Sequence, residues 1–194
     1  MLALPFYIVE LCLQKAFKGY ASSINSCLLS SAQCEILIAD NQEAGYTIMI
    51  DKNSEDYLNG KGLIIKNINE NDISILQIDN KLISPRSKQK RCDCAILNVT
   101  DMRFVEFKTN SQGNSVKAVE STYKQAMKQL STTLHLFISK ERNIGIDLQK
   151  KRRLSAHICT SVRFPRLSAS QIGYAIDFAL QEHIPLTFGT ITNI

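Results

Sequence analysis

No stretch of this sequence is both long enough and apolar enough to cross a bilayer, which takes about 20 apolar residues in a row. A helical membrane-spanning role is therefore not expected. No internal repeat or low-complexity tract is present, which excludes solenoid and fibrous architectures. The signatures of a DNA-recognition helix, a zinc finger and an RNA-recognition sheet are missing as well. Tryptophan is absent and histidine is scarce. His135 and His183 fall near predicted helix ends and His157 inside a predicted strand, where packing and surface roles account for them. The opening "MLALPFYIVELCLQKAF" lacks a basic leader segment and a small-residue cleavage site, and Glu10 interrupts its apolar run. It reads as a core helix over Phe6–Phe17. Without a secretion signal, the six cysteines are expected as free thiols in a reducing, cytoplasmic setting.

Positive charge is lacking in the first part of the chain. Residues 1–80 carry five Lys and no Arg against ten Asp and Glu, whereas the remainder carries eighteen Lys and Arg against eight Asp and Glu. Such asymmetry points to a basic surface on the C-terminal part and to an anionic partner such as nucleic acid. The length, 194 residues, suits a single domain with a full core.

Hydrophobic periodicity divides the chain. Residues 1–74 read as the N-terminal helix followed by a β-rich extension, with strands in "QCEILIA" and "GYTIMI" around a turn and further β-rich runs in "GLIIKNI" and "ISILQID". A core over about 75–194 has a clearer order. "CDCAILNV" and "MRFVEFK" form two strands joined at Thr100-Asp101. A helix follows from about Ala118 to Phe137, with the apolar stripe Val119, Tyr123, Ala126, Met127, Leu130, Leu134 and Phe137. "KERNIGIDLQKKRR" reads as an exposed loop, "LSAHICTSV" as a strand, "SASQIGYAIDFALQEH" as a helix and "IPLTFGTI" as a last short strand. The fold class is α/β, a mixed central sheet flanked by helices.

Three charges interrupt the first two strands of that core. Period-two alternation puts Asp93 with Ala95 and Leu97 on one face and Cys92, Cys94 and Ile96 on the other. On the next strand Glu106 and Lys108 share a face with Phe104. Cross-strand neighbours stand about 4.5–5.5 Å apart at Cβ, a spacing that lets Asp93 and Glu106 hold one hard divalent cation. A lysine beside such an ion can position or deprotonate a water and stabilise charged oxygens. The competing reading is a solvated edge strand with Asp93 paired to Arg91 or Arg103. Cys92 and Cys94 with Cys27 and Cys34 have too loose a spacing for a usual zinc knuckle, so buried thiols are expected.

The residues "RCDCAIL" and "RFVEFKTN", followed by an amphipathic helix and a strand, resemble the core signature of the PD-(D/E)XK nuclease superfamily, the restriction-endonuclease-like fold. Asp93 matches the motif's aspartate, Glu106 its second acid and Lys108 its lysine, with Cys92 where proline often stands. The resemblance covers roughly residues 75–165. It implies a Mg²⁺- or Mn²⁺-dependent nuclease, with Asp93 and Glu106 as metal ligands and Lys108 as the water-positioning group. It also implies a polar residue from the following helix at the site: Gln125, Lys128 or, in preference, Gln129. A further acid from the first helix would be Glu10, with Asp79 as the other candidate. DNA is implied as substrate in preference to RNA, in microbial defence or DNA processing, with a protein partner or a second copy of the chain. The alternative is a catalytically inactive nuclease-fold subunit that binds nucleic acid or a protein. For phosphate contacts the basic residues flanking the motif are expected: Arg86, Lys88, Lys90 and Arg91 before Asp93, Lys124 and Lys128 on the helix, and Lys151 and Arg152 before the later strand.

Overall fold

The computed structural model describes residues 6–21, 23–68, 72–87, 89–111, 115–162, 164 and 168–194. In chain order the elements are α1 (Phe6–Ala16), a short 3₁₀ turn (Ile24–Cys27), β1 (Leu28–Ser31), β2 (Glu35–Asn41), β3 (Tyr46–Met49), α2 (Glu55–Leu58), β4 (Leu63–Lys66) and β5 (Ile73–Gln77). There follow β6 (Cys94–Leu97), β7 (Asp101–Lys108), α3 (Val116–Arg142), α4 (Leu148–Lys151), β8 (Arg153–Thr160), α5 (Ser168–Glu182), β9 (Leu186–Phe188) and β10 (Ile191–Asn193). Among the described residues no helix is long and apolar enough to cross a membrane.

Two mixed sheets result. The larger has six strands in the order β1-β5-β6-β7-β8-β9, antiparallel as far as β7 and parallel from β7 through β9. The smaller has the order β10-β4-β2-β3. The β-rich segment ahead of β6 is thus shared out: β1 and β5 extend the six-stranded sheet, while β2, β3 and β4 join β10 in the second. The inner strands β5 to β8 of the large sheet are buried on both faces, and their alternation sorts the core in two. Leu76, Ala95, Leu97, Phe104, Ala156 and Ile158 pack against α1, α3 and α5. Ile75, Cys94, Ile96, Val105, Phe107 and Cys159 pack against Ile36, Ile38, Leu63 and Ile65 of the second sheet. The layers therefore run helices, large sheet, small sheet.

Helix α3 begins where Ser115 caps it, its hydroxyl accepting from the Ala118 amide at 3.2 Å. Its buried positions match the expected stripe, with Met127 at the margin, and Thr133 and Glu141 added. The helix runs past Phe137 to Arg142, because Glu141 is drawn into the interior. The stretch after it, expected as a loop, carries α4, whose N-terminus Asp147 caps and whose Leu148 is buried. The chain end differs likewise. One expected strand is two, broken at Gly189 with φ +129, a conformation side chains disfavour. That break lets the chain leave the large sheet as β9 and join β4 of the small sheet as β10.

His157, central in β8, is a packed core group. Its ring nitrogens meet the Thr187 hydroxyl at 2.8 Å and the Gly189 carbonyl at 3.0 Å, and burial pushes its pKa down to about 4. The folded protein keeps the ring neutral down to that value, whereas the unfolded chain protonates it near 6.5. Stability is therefore lost as pH falls between these values. Relative to a His157→Gln variant, wild type should lose roughly 3 kcal/mol more over that interval, read from denaturant melts. An equal loss in both proteins would show that His157 is not held neutral.

Candidate active site

Asp93 immediately precedes β6, and Cys94 pairs with Val105, so Asp93 lies beside Glu106 near the end of β7. Here the ladder gives way. The Asp93 amide donates to the Val105 carbonyl at 3.1 Å, and its carbonyl accepts from the amides of Ile78 and Asp79 at 2.9 and 3.1 Å. Its carboxylate Oδ2 then accepts the Phe107 amide at 2.6 Å. Strand β7 on one side and the segment just past β5 on the other thus hold Asp93 at once. The same irregularity corrects the expected thiol arrangement. Cys92 packs in the helical layer, its amide donating to Thr133 Oγ1 at 2.8 Å, and Cys94 packs between the sheets. The two thiols stand on opposite sides of the large sheet and cannot grip one metal, and Cys34 is exposed.

Glu106 is only 1% exposed. Its Oε1 meets Lys108 Nζ at 2.6 Å, while Oε2 is buried with no hydrogen-bond partner among the described residues. Burial pushes its pKa up to about 8, outweighing the lysine's charge. Asp93 is also pushed well up, first by burial and then by the neighbouring Glu106 and Asp40 carboxylates. Lys108 Nζ donates further to Gln129 Oε1 at 2.9 Å, and Gln129 Nε2 donates to the Arg91 carbonyl at 3.0 Å. Asp93, Glu106, Lys108 and Gln129 are thus gathered at one end of the central sheet, with α3 supplying the glutamine. Gln125, also on α3, is exposed.

Of the two upstream acids, Asp79 comes near enough to raise Glu106, and Arg91 Nε holds it at 2.5 Å. Glu10 lines a separate cavity with Gln14 and Asn25. Asp40 is the acid that sequence reasoning missed. It sits in β2 of the small sheet, where an aspartate ending the apolar run "ILIA" gave no sign of what it faces. Burial, then the charge of Asp79, raises its pKa. Among the described residues no three His, Cys, Asp or Glu side chains converge on one ion. Asp93 and Glu106 nevertheless fit a hard cation. They are adjacent oxygen donors, and one carboxylate oxygen is buried and unsatisfied, as suits Mg²⁺, which keeps several waters and takes one or two carboxylates.

The expected phosphate contacts separate into groups. Arg86 and Lys90 are exposed ahead of Asp93, and Lys124 and Lys128 are exposed on α3. Lys88 lies outside the described residues. Arg91 is committed internally: besides Asp79 it binds the carbonyls of Ser87 and Gln89 at 3.0 and 3.1 Å and Asn80 Oδ1 at 3.3 Å, so it clamps the loop. Lys151 is exposed, but it precedes β8, whose first residue pairs with Asp101. That places it about 20 Å from Lys108 at ~3.3 Å per strand residue. Arg152, 8% exposed, donates to the carbonyls of Asn98 and Asp101 at that far end. The second basic run therefore does not flank the acids.

Comparison with protein-family models, with curated proteins and with solved structures finds no match.

Two outcomes follow from this geometry. The native state keeps a proton on Glu106 between its ordinary value of 4.5 and about 8, so the metal-free protein loses stability as pH rises across that interval. Glu106→Gln removes the dependence and should be roughly 2 kcal/mol more stable than wild type near pH 8, measured by chemical denaturation without metal. A less stable variant there would contradict the unsatisfied carboxylate. Arg152→Ala, which removes a buried charge bound to two carbonyls, should cost roughly 3 kcal/mol in the same assay. Its affinity for oligonucleotides should not change.

Proposed function

We propose that this chain is a divalent-metal-dependent nuclease of the PD-(D/E)XK kind, hydrolysing phosphodiester bonds of DNA in preference to RNA. The order β6, β7, α3, β8, with an antiparallel hairpin leading through a long helix to a parallel strand, agrees with that superfamily's core. The observation that carries the reading is Glu106 Oε2, buried and unpartnered beside a second carboxylate. Asp93 Oδ2 is taken by the Phe107 amide, so Oδ1 and Glu106 Oε2 are the atoms that would ligate Mg²⁺ or Mn²⁺. When bound, such an ion neutralises charge on a phosphate and makes a coordinated water more acidic. Lys108, an ammonium fixed between Glu106 and Gln129, would orient the attacking water and stabilise the charged phosphate oxygens. As that water bonds to phosphorus and the ester P–O bond breaks, its proton would pass to solvent and the departing ester oxygen would be protonated from solvent. Gln129 would act on the lysine rather than on substrate, as a positioning residue.

One fact favours a second reading, the inactive subunit. With Glu106 nearly closed to solvent and already touching Lys108, the pair can neutralise itself and serve only the fold. Cleavage of supercoiled plasmid and of labelled oligonucleotides in Mg²⁺ or Mn²⁺ separates the two. Asp93→Ala and Lys108→Ala should each lower the metal-dependent rate roughly 100-fold or more while circular dichroism stays native. Gln129→Leu should lower it less. Equal rates for wild type and all three variants would leave the inactive subunit as the answer.

A further inference from the structure

Lys108 pairs with Thr160 at the end of β8, and Ile158 pairs with Phe188 in β9. Val162, just beyond β8, and Thr190, just beyond β9, consequently lie at the same end of the large sheet as the acids. They help to line an open cavity of about 370 Å³, whose apolar walls are Tyr57, Leu58, Ile64 and Val162 and whose polar edge is Asn59 and Thr190. Strands stand ~4.8 Å apart, so the cavity's near edge, at Val162 and Thr190, lies about 10 Å from Lys108, while its other walls come from α2, the loop after it and β4. Its volume is that of a small-ligand site.

Two features show a built pocket rather than loose loops. Leu58 is 69% and Val162 56% exposed, so large apolar side chains stand in water at its mouth. The wall between them depends on Gly60, whose carbonyl accepts the Val162 amide at 3.3 Å. Gly60 has φ +67, and a Cβ there would come within 2.5 Å of Val162 Cγ2. None of the described residues lining the cavity is charged. A phosphate or a carboxylate finds no counter-charge among the described residues of its lining. A flat, neutral heteroaromatic ring with hydrogen-bonding edges does fit: apolar walls for its faces, Asn59 and Thr190 for its rim, and Tyr57 to stack on.

We propose that this cavity is a subsite for an unpaired nucleobase flanking the reactive phosphate. The proposal rests on the nuclease reading and narrows it. A base can enter only if it has left its duplex stack, so the preferred substrate is single-stranded or locally opened nucleic acid.

The test compares two probes of equal length and charge, a labelled thymidine strand of about twelve nucleotides and its fully abasic counterpart. Binding to the full chain is followed by fluorescence anisotropy in Ca²⁺. Wild type should bind the base-bearing strand about tenfold more tightly. Tyr57→Ala and Leu58→Ala, the latter at an exposed position that folding tolerates, should each shrink that ratio toward unity while leaving the abasic strand unaffected. If wild type binds both strands equally yet cleaves DNA with metal, the subsite is overturned and the nuclease reading stands. If wild type binds neither strand, the subsite is overturned, and the nuclease reading stands or falls on metal-dependent plasmid cleavage. If the variants keep the full ratio, bases are held elsewhere, and the cavity belongs to another occupant such as an apolar side chain of a partner protein.

Discussion

A carboxylate closed off from water has to be balanced by a partner, a proton or a cation, and Glu106 has only part of one. Lys108 covers Oε1, and Oε2 faces nothing that can donate among the described residues. The surroundings are organised about that imbalance. Lys108 is itself held by Gln129, Gln129 by the Arg91 carbonyl, and the Arg91 side chain by Asp79. Through this chain of polar contacts β7, α3, the loop before β6 and the end of β5 are fixed relative to one another. A half-satisfied polar network is among the more expensive things to keep in an interior. A site that hydrolyses phosphodiesters would give that cost a use, whereas a purely structural core could replace it with packed aliphatics.

Asp93 shows why the two carboxylates are not equivalent. It completes the ladder with its side chain, offering Oδ2 to the Phe107 amide where a strand would offer a carbonyl. Its place is therefore set by backbone hydrogen bonds to β7 and to the segment just past β5, and it acts as a rigid anchor. Glu106, by contrast, is set by its neighbour's ammonium, which can shift by rotation about a flexible stem. The proposed chemistry would use that difference: one ligand that does not move, and one whose free Oε2 would meet the ion while Oε1 stays on Lys108.

Much of this arrangement was legible in the sequence wherever a short period governs it. Alternation along "MRFVEFK" put Glu106 and Lys108 on a common face, and the stripe from Val119 to Phe137 identified the packed side of α3. The rest depends on what period cannot carry. Alternation failed at Cys92 because the ladder breaks at Asp93, and only the pairing partners reveal the break. A run of basic residues looks the same whether it is solvated, as Lys151 is, or turned inward onto carbonyls, as Arg152 is. Asp40 and β10 reach their places through pairing in a second sheet, between segments more than a hundred residues apart in the case of β4 and β10. Such long-range pairing leaves no local trace in composition.

The second sheet also decides how charge is distributed about the site. It brings Asp40 to a region that already holds Asp79, Asp93 and Glu106, while exposed Arg86, Lys90, Lys124 and Lys128 remain outside it. Burial makes Asp40, Asp93 and Glu106 hold their protons, and the positive charges of Arg91 and Lys108 are already spent on Asp79 and Glu106, so among the described residues the region offers a phosphate no free positive charge. The outer basic residues can draw a polyanion to the surface, but they cannot seat it against the acids. Under the proposed function a divalent cation would serve twice, first by displacing the protons that burial keeps on these acids and supplying positive charge for a phosphate to approach, and then by supporting the reaction. The burial that makes Glu106 costly when empty also strengthens its hold on a small, highly charged ion, because water cannot compete for the same oxygen.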